Sequence, residues 1–178
     1  MISKMSIAPL ASLEFLPFLN SEGELDSQFE GIGVYAIFDA EKTLQYIGYS
    51  RDVSLSLKQH LVRRPQQCYW LKVQTIDRPS RAILEEIRTA WIAENGVVPS
   101  GNGSDEAGWT QAIDAKTALT AEERSAFAAG DELTQMKLLK QVARRVESDV
   151  MAQLEARGVK MQVRFNPKLK ENGLLDLK

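Results

Sequence analysis

Gly33-Val34-Tyr35-Ala36-Ile37-Phe38-Asp39, a polar break at Ala40-Glu41-Lys42, and Leu44-Gln45-Tyr46-Ile47-Gly48 form the stretch whose reading decides the fold. Each half is short, rich in β-branched and aromatic residues, and bounded by glycine or charge, the pattern of a strand. The break has the length of a hairpin loop. The stretch therefore predicts two antiparallel strands, each carrying a tyrosine, with Gly48 ending the second. Side chains alternate faces along a strand. Tyr35 is expected to share a face with Ile37, and Tyr46 to share one with Leu44 and Gly48.

Elements on either side extend this core. Residues 1–30 read as an N-terminal arm in which Pro9 and Pro17 allow at most a helical turn over 10–16. After the hairpin, Ser50-Arg51-Asp52 looks like a helix entry, with Ser50 or Asp52 able to cap. Val53, Leu57, His60 and Leu61 then follow at helical spacing, and Pro65 stops the helix. Cys68 to Ile76 predicts a third strand. Asp77-Arg78-Pro79-Ser80 opens a helix to about Glu94 whose apolar residues Ile83, Leu84, Ile87, Ala90 and Trp91 face a core, and Asn95-Gly96 ends it. The class is α+β: a small antiparallel three-stranded sheet flanked by helices over residues 31–104. Residues 105–178 read as a helical extension packed on that domain. Within it Thr120-Ala121-Glu122-Glu123 predicts a capping box. A long helix from Asp131 carries a stripe of Leu133, Met136, Leu139, Ala143, Val146, Val150 and Leu154, and Gly158 stops it. An edge strand is expected at Lys160–Phe165, ended by Pro167.

Composition narrows the function classes. With 178 residues, 44% hydrophobic and 26% charged, the chain can build a real core. Its net charge is −2 and its pI about 5.6, which weighs against a broad basic surface for nucleic acid. Residues 31–103 nevertheless hold nine Lys and Arg against seven Asp and Glu, compatible with a local basic cleft. One cysteine, Cys68, excludes an internal disulfide and a cysteine metal cluster, and its apolar neighbours predict a packed side chain. No apolar run approaches the roughly 20 residues that span a bilayer. The first residues lack the charged-then-apolar order of a secretory signal. A cytoplasmic location is the expectation, an organelle address being compatible with it.

Gly33-Val34-Tyr35 followed at this spacing by Tyr46-Ile47-Gly48 resembles the paired motif of the GIY-YIG endonuclease superfamily, over about residues 31–103. The resemblance implies phosphodiester hydrolysis with a single Mg²⁺ or Mn²⁺ ion. It implies that Tyr35 and Tyr46 are catalytic, one of them handling the proton of the attacking water. It also implies His60 as a catalytic residue, Glu85 as the metal-binding carboxylate, and Gly48 and Asn102 as substrate-contacting residues. A metal neutralises phosphate charge and orients water, and one carboxylate suits Mg²⁺, which keeps most of its waters. The position where the family carries an arginine, four before His60, holds Ser56. Arg51, Arg81 and Arg88 are the cations that could replace it, with Arg51 expected to touch substrate. A nuclease is thus one reading. An impaired domain of that type that binds nucleic acid or protein is the alternative, and a third is an interaction domain working through its long C-terminal helix. Nucleic acid, a protein partner or a dimer through that helix are the expected partners, and no membrane.

Overall fold

The break between the first two strands closes as a tight turn. The Asp39 carboxylate accepts from the amides of Glu41 at 3.0 Å and Thr43 at 2.9 Å, and Lys42 takes a left-handed conformation with φ 64°. The chain is described by a computed structural model covering residues 6–178. The first five residues of the expected arm, Lys4 among them, lie outside it. Strand β1 is Leu16–Pro17, β2 Ile32–Phe38, β3 Leu44–Ser50 and β4 Trp70–Ile76. Their order in the sheet is β1-β4-β2-β3, with every pairing antiparallel. The sheet therefore has four strands rather than the expected three. The extra one is a two-residue pairing of Leu16 with Leu71 and Pro17 with Trp70, too short to show any period in sequence.

Register decides which side chains meet. Tyr35 lies opposite Gly48 and Ile37 opposite Tyr46, so these four share one face. Val34, Ala36 and Ile47 point to the other. There they join Phe38, Leu84, Ile87 and Trp91 in a buried cluster, with Leu44 and Tyr49 partly buried against it. Leu44 thus does not share the face of Tyr46, as simple alternation predicted. A bulge between Ile37 and Phe38 pairs Phe38 with Leu44 and reverses the facing at that end.

Two helices cover the two faces. Helix α1, Val53–Arg63, is capped by Asp52, whose carboxylate accepts from the Leu55 amide, and buries Val53, Leu57, His60, Leu61 and Val62. Helix α2, Arg81–Asn95, is capped by the Ser80 hydroxyl and ends at Gly96 with φ 81°, a left-handed C-cap that glycine adopts without strain. It buries Leu84, Ile87 and Trp91, each burial contributing about 1.5–3 kcal/mol. A 3₁₀ turn at Ser100–Asn102 and a short helix α3, Glu106–Thr110, follow.

The chain divides into two compact units after Trp109. The second unit holds strand β5, Ile113–Asp114, helices α4, Ala121–Ala129, α5, Glu132–Ala156, and α6, Pro167–Lys170, and strand β6, Leu174–Leu175. The predicted capping box is formed: Thr120 and Glu123 exchange hydrogen bonds at 3.1 and 3.0 Å. Asp131 caps α5, whose buried residues are Val142, Ala143, Val150 and Leu154; Leu133, at the start of the expected stripe, is exposed. The strand expected at Lys160–Phe165 does not form. Phe165 makes a single bridge to Leu177, and the ladder of this unit is β5 with β6 instead. Among the described residues no helix is long and apolar enough to cross a membrane.

Candidate functional site

Side chains from β2, β3, α1 and α3 converge on one face of the sheet. Tyr35 and Tyr46 project from neighbouring strands with ring centroids 6.2 Å apart. His60 reaches them from α1: its Nε2 lies 2.8 Å from the Tyr35 hydroxyl, and its ring is 4.8 Å from that of Tyr46. Trp109 closes the group, stacked on Tyr46 at 5.4 Å with an interplanar angle of 6°. The position of Trp109 is fixed from both sides. Arg63 donates to its carbonyl at 3.0 Å, and Gly101 lets the loop close on it, since a Cβ there would sit 2.6 Å from the Gln45 carbonyl oxygen and 2.9 Å from the indole. Trp109 was not among the residues picked out from the sequence. Its signal was a tryptophan just beyond a glycine-rich loop, which is weak until the loop is seen to fold back on the sheet.

Burial sets the charge state of this group. The Tyr35 hydroxyl is pushed well above its ordinary pKa by burial, with the neighbouring Tyr46 adding to the effect and the Ser56 hydroxyl opposing it. Tyr46 is raised by burial too, with Arg88 pulling the other way. His60 is lowered to about 3 by burial and by the Arg63 guanidinium, the Trp109 backbone opposing weakly. His60 Nδ1 forms no hydrogen bond of regular geometry. At neutral pH the cluster is therefore an uncharged phenol–imidazole–indole group, and Tyr35, the more deeply buried of the two tyrosines, is a weaker acid than an ordinary tyrosine rather than a ready base.

The remaining predicted residues are placed elsewhere. Ser56 and His60 both adjoin the Tyr35 hydroxyl, as their four-residue spacing predicts. The Ser56 hydroxyl is bonded to that of Ser50 at 2.8 Å. Gly48 is needed by the tyrosines: a Cβ would lie 2.6 Å from Tyr46 Cε1 and 2.8 Å from the Tyr35 oxygen. Asn102 uses both ends of its amide on β3, accepting from the Ile47 amide at 2.8 Å and donating to its carbonyl at 2.7 Å. Glu85 stands on α2, whose buried residues pack on the face of Val34, Ala36 and Ile47. It pairs with Arg88, which lies over the Tyr49 ring, and hydrogen bonds from Arg88 and Tyr49 hold its carboxyl below the usual range. Arg51 lines an open cleft of about 320 Å³ with Tyr49, Ser50, Pro79, Ser80, Arg81 and Leu84. Among the described residues no three His, Cys, Asp or Glu side chains are grouped to hold a metal ion. Cys68 is fully buried.

No family model matches the chain. The chain is similar to a bifunctional monothiol glutaredoxin. That relative, the chloroplastic glutaredoxin-S16 of Arabidopsis thaliana, is 35% identical over 103 residues, which cover 56% of this chain and 34% of the relative. The chain thus spans about a third of the relative's length. The relative bears the name of a redox protein and not of a nuclease. On that finding the endonuclease resemblance is withdrawn, together with phosphodiester hydrolysis, DNA binding, the impaired-nuclease alternative and the Mg²⁺ or Mn²⁺ ion at Glu85. The geometry agrees on the metal. Glu85 is paired with Arg88 and hydrogen-bonded by Tyr49, and among the described residues it belongs to no group of three His, Cys, Asp or Glu side chains that could hold a metal ion.

Proposed function

We propose that this chain is the non-thiol part of a two-part redox protein, a ligand-binding module that works beside a monothiol glutaredoxin. The observation that carries this reading is the fully buried Cys68 in a chain with no second cysteine. Thiol exchange needs an accessible thiolate, and a cysteine in an apolar interior is held as the inert thiol. The relative is named bifunctional, and the chain accounts for about a third of it, so the function supplied here is the one that does not use a thiol. An organelle location fits the same relative, named chloroplastic.

The surface this module offers a ligand is the cleft of Arg51 and Arg81. Two guanidinium groups on one open cavity suit an anionic ligand. Gly48, Tyr35, Tyr46 and His60 are buried and on this reading do not touch the ligand, and Asn102 fixes β3 by its bonds to Ile47. The test uses the full chain in a glutathione mixed-disulfide reduction assay, alone and with a separately made monothiol glutaredoxin. The expected result is no reduction by the chain alone, no labelling of Cys68 by a thiol reagent until denaturant is added, and measurable binding to the glutaredoxin. Reduction by the native chain that is abolished in Cys68→Ser overturns the reading.

A further inference from the structure

The second unit carries a feature that this reading does not use. Residues 110–178 hold twelve Lys and Arg against ten Asp and Glu, a net +2 in a chain whose total is −2. Part of that excess is gathered around one cavity of about 260 Å³, lined by Lys140 and Arg144 of α5 and by Pro167, Lys168, Lys170 and Glu171 at α6. Lys140 and Arg144 are four residues apart and so stand one above the other on a single helix face. Pro167 opens α6, and the Asn166 side chain caps it through the Lys168 amide at 3.1 Å, which sets Lys168 and Lys170 in one ordered turn.

Charge accounting says what this cavity lacks. Lys170 is paired with Glu147 at 2.5 Å, and Lys140 with Glu171 at the looser distance of 3.5 Å. Those two acids balance two of the four cations. Among the described residues neither Arg144 nor Lys168 has an acidic partner. Two like charges held at one small cavity repel each other, and an anion of charge −2 placed between them removes that repulsion and satisfies both. A guanidinium presents a planar fork that matches two oxygens of a phosphate, and an ammonium serves as a point charge beside it. The volume admits a small molecule rather than a chain segment.

We propose that the cavity between α5 and α6 is a binding site for a small phosphate-bearing dianion, held by Arg144 and Lys168 with Lys140 and Lys170 beside them. Glu171 sits on the rim of the same cavity and competes with the ligand for Lys140.

The test is a titration of the full chain, followed by ¹H–¹⁵N spectra that resolve the Arg144 guanidinium and the Lys168 amide. The probes are inorganic pyrophosphate, glycerol phosphate and, as the carboxylate arm, succinate. Saturable shifts at both residues are expected with the two phosphates, weakening as salt is raised. Arg144→Ala and Lys168→Ala should each weaken binding by about tenfold or more, the scale of one charge-assisted hydrogen bond. Arg144→Lys should recover only part of the loss, and Glu171→Gln should tighten binding. Both altered cations are exposed, so a spectrum otherwise unchanged shows that the fold is intact. No saturable shift up to about 10 mM pyrophosphate, or undiminished binding by both Ala variants, overturns the site. Succinate binding as tightly as the phosphates overturns the phosphate assignment.

Discussion

Gly48→Ala adds one methyl group at the most crowded point of the sheet. The new Cβ would lie 2.6 Å from Tyr46 Cε1, 2.8 Å from the Tyr35 oxygen and 2.9 Å from Tyr35 Cζ, where carbon contacts ordinarily sit near 3.5–4.0 Å. Neither ring can yield cheaply. Tyr35 is tied to His60 at 2.8 Å, and Tyr46 is stacked on Trp109 at 5.4 Å. Overpacking of this kind costs about 1–3 kcal/mol. The lower backbone freedom of alanine in the unfolded chain returns about 0.5–1 kcal/mol. The expected net loss is about 1–2 kcal/mol. Urea unfolding followed by tryptophan fluorescence measures it, because Trp70, Trp91 and Trp109 all belong to the first unit. With a slope of about 1–3 kcal/mol per molar urea, the midpoint should fall by about 0.5–1 M. A Gly48→Ala protein as stable as the parent would refute this packing of the two tyrosines around the glycine.

Three further outcomes follow from the same geometry. Asn102→Ala removes both hydrogen bonds to Ile47 and should cost about 1–3 kcal/mol; amide exchange at Ile47 should accelerate, and unchanged protection would contradict the clamp. His60 has its folded pKa lowered to about 3 against an ordinary 6.5, so the unfolded chain takes up the proton first as pH falls. Stability should be full above about pH 6.5 and decline through pH 5 toward 3, by about 2 kcal/mol between pH 7.5 and 5.0. His60→Phe should flatten that interval, and an equal decline in the variant would assign it to other groups. The Glu123 carboxyl is held down to about 2, first by the Arg145 side chain and then by the Thr120 backbone. A carbon-detected titration should find it there, and Arg145→Ala should return it most of the way toward 4.5.

Much of the fold was legible because its signals are local. The hairpin, the Asp52, Ser80, Thr120 and Asp131 caps, and the stops at Gly96 and Gly158 each depend on a few adjacent residues, and each is formed. What failed depends on distant pairing. Leu16-Pro17 becomes a strand only because Leu71 and Trp70 offer an edge. Lys160–Phe165 alternates in sequence but finds no strand to pair with beyond the one bridge at Leu177. The bulge at Ile37/Phe38 turned Leu44 away from Tyr46, an effect that alternation cannot contain.

The candidate site was legible only in part for a related reason, and the reason bears on function. Tyr35, Tyr46 and His60 do gather, because strand register and an i, i+4 helix face suffice to bring them together. Whether Glu85 joins them depends on which face of the sheet α2 covers, and two amphipathic helices of ordinary composition do not say which takes which side. The core answers it: Leu84, Ile87 and Trp91 pack with Val34, Ala36 and Ile47, so α2 takes the face of Tyr49, and Glu85 goes with it. The tyrosine group keeps an imidazole neutral down to about pH 3, and at Tyr46 burial outweighs the opposing pull of the Arg88 and Arg63 guanidinium groups. A neutral, buried group of this kind orders the strands around it, and on the proposed reading charge recognition falls to the guanidinium groups of Arg51 and Arg81, which line the open cleft. Binding by the first unit should therefore respond to Arg51→Ala and Arg81→Ala and stay constant from pH 6 to 8, where neither the tyrosines nor His60 titrates. A pH dependence in that interval would put the buried group back in contact with the ligand.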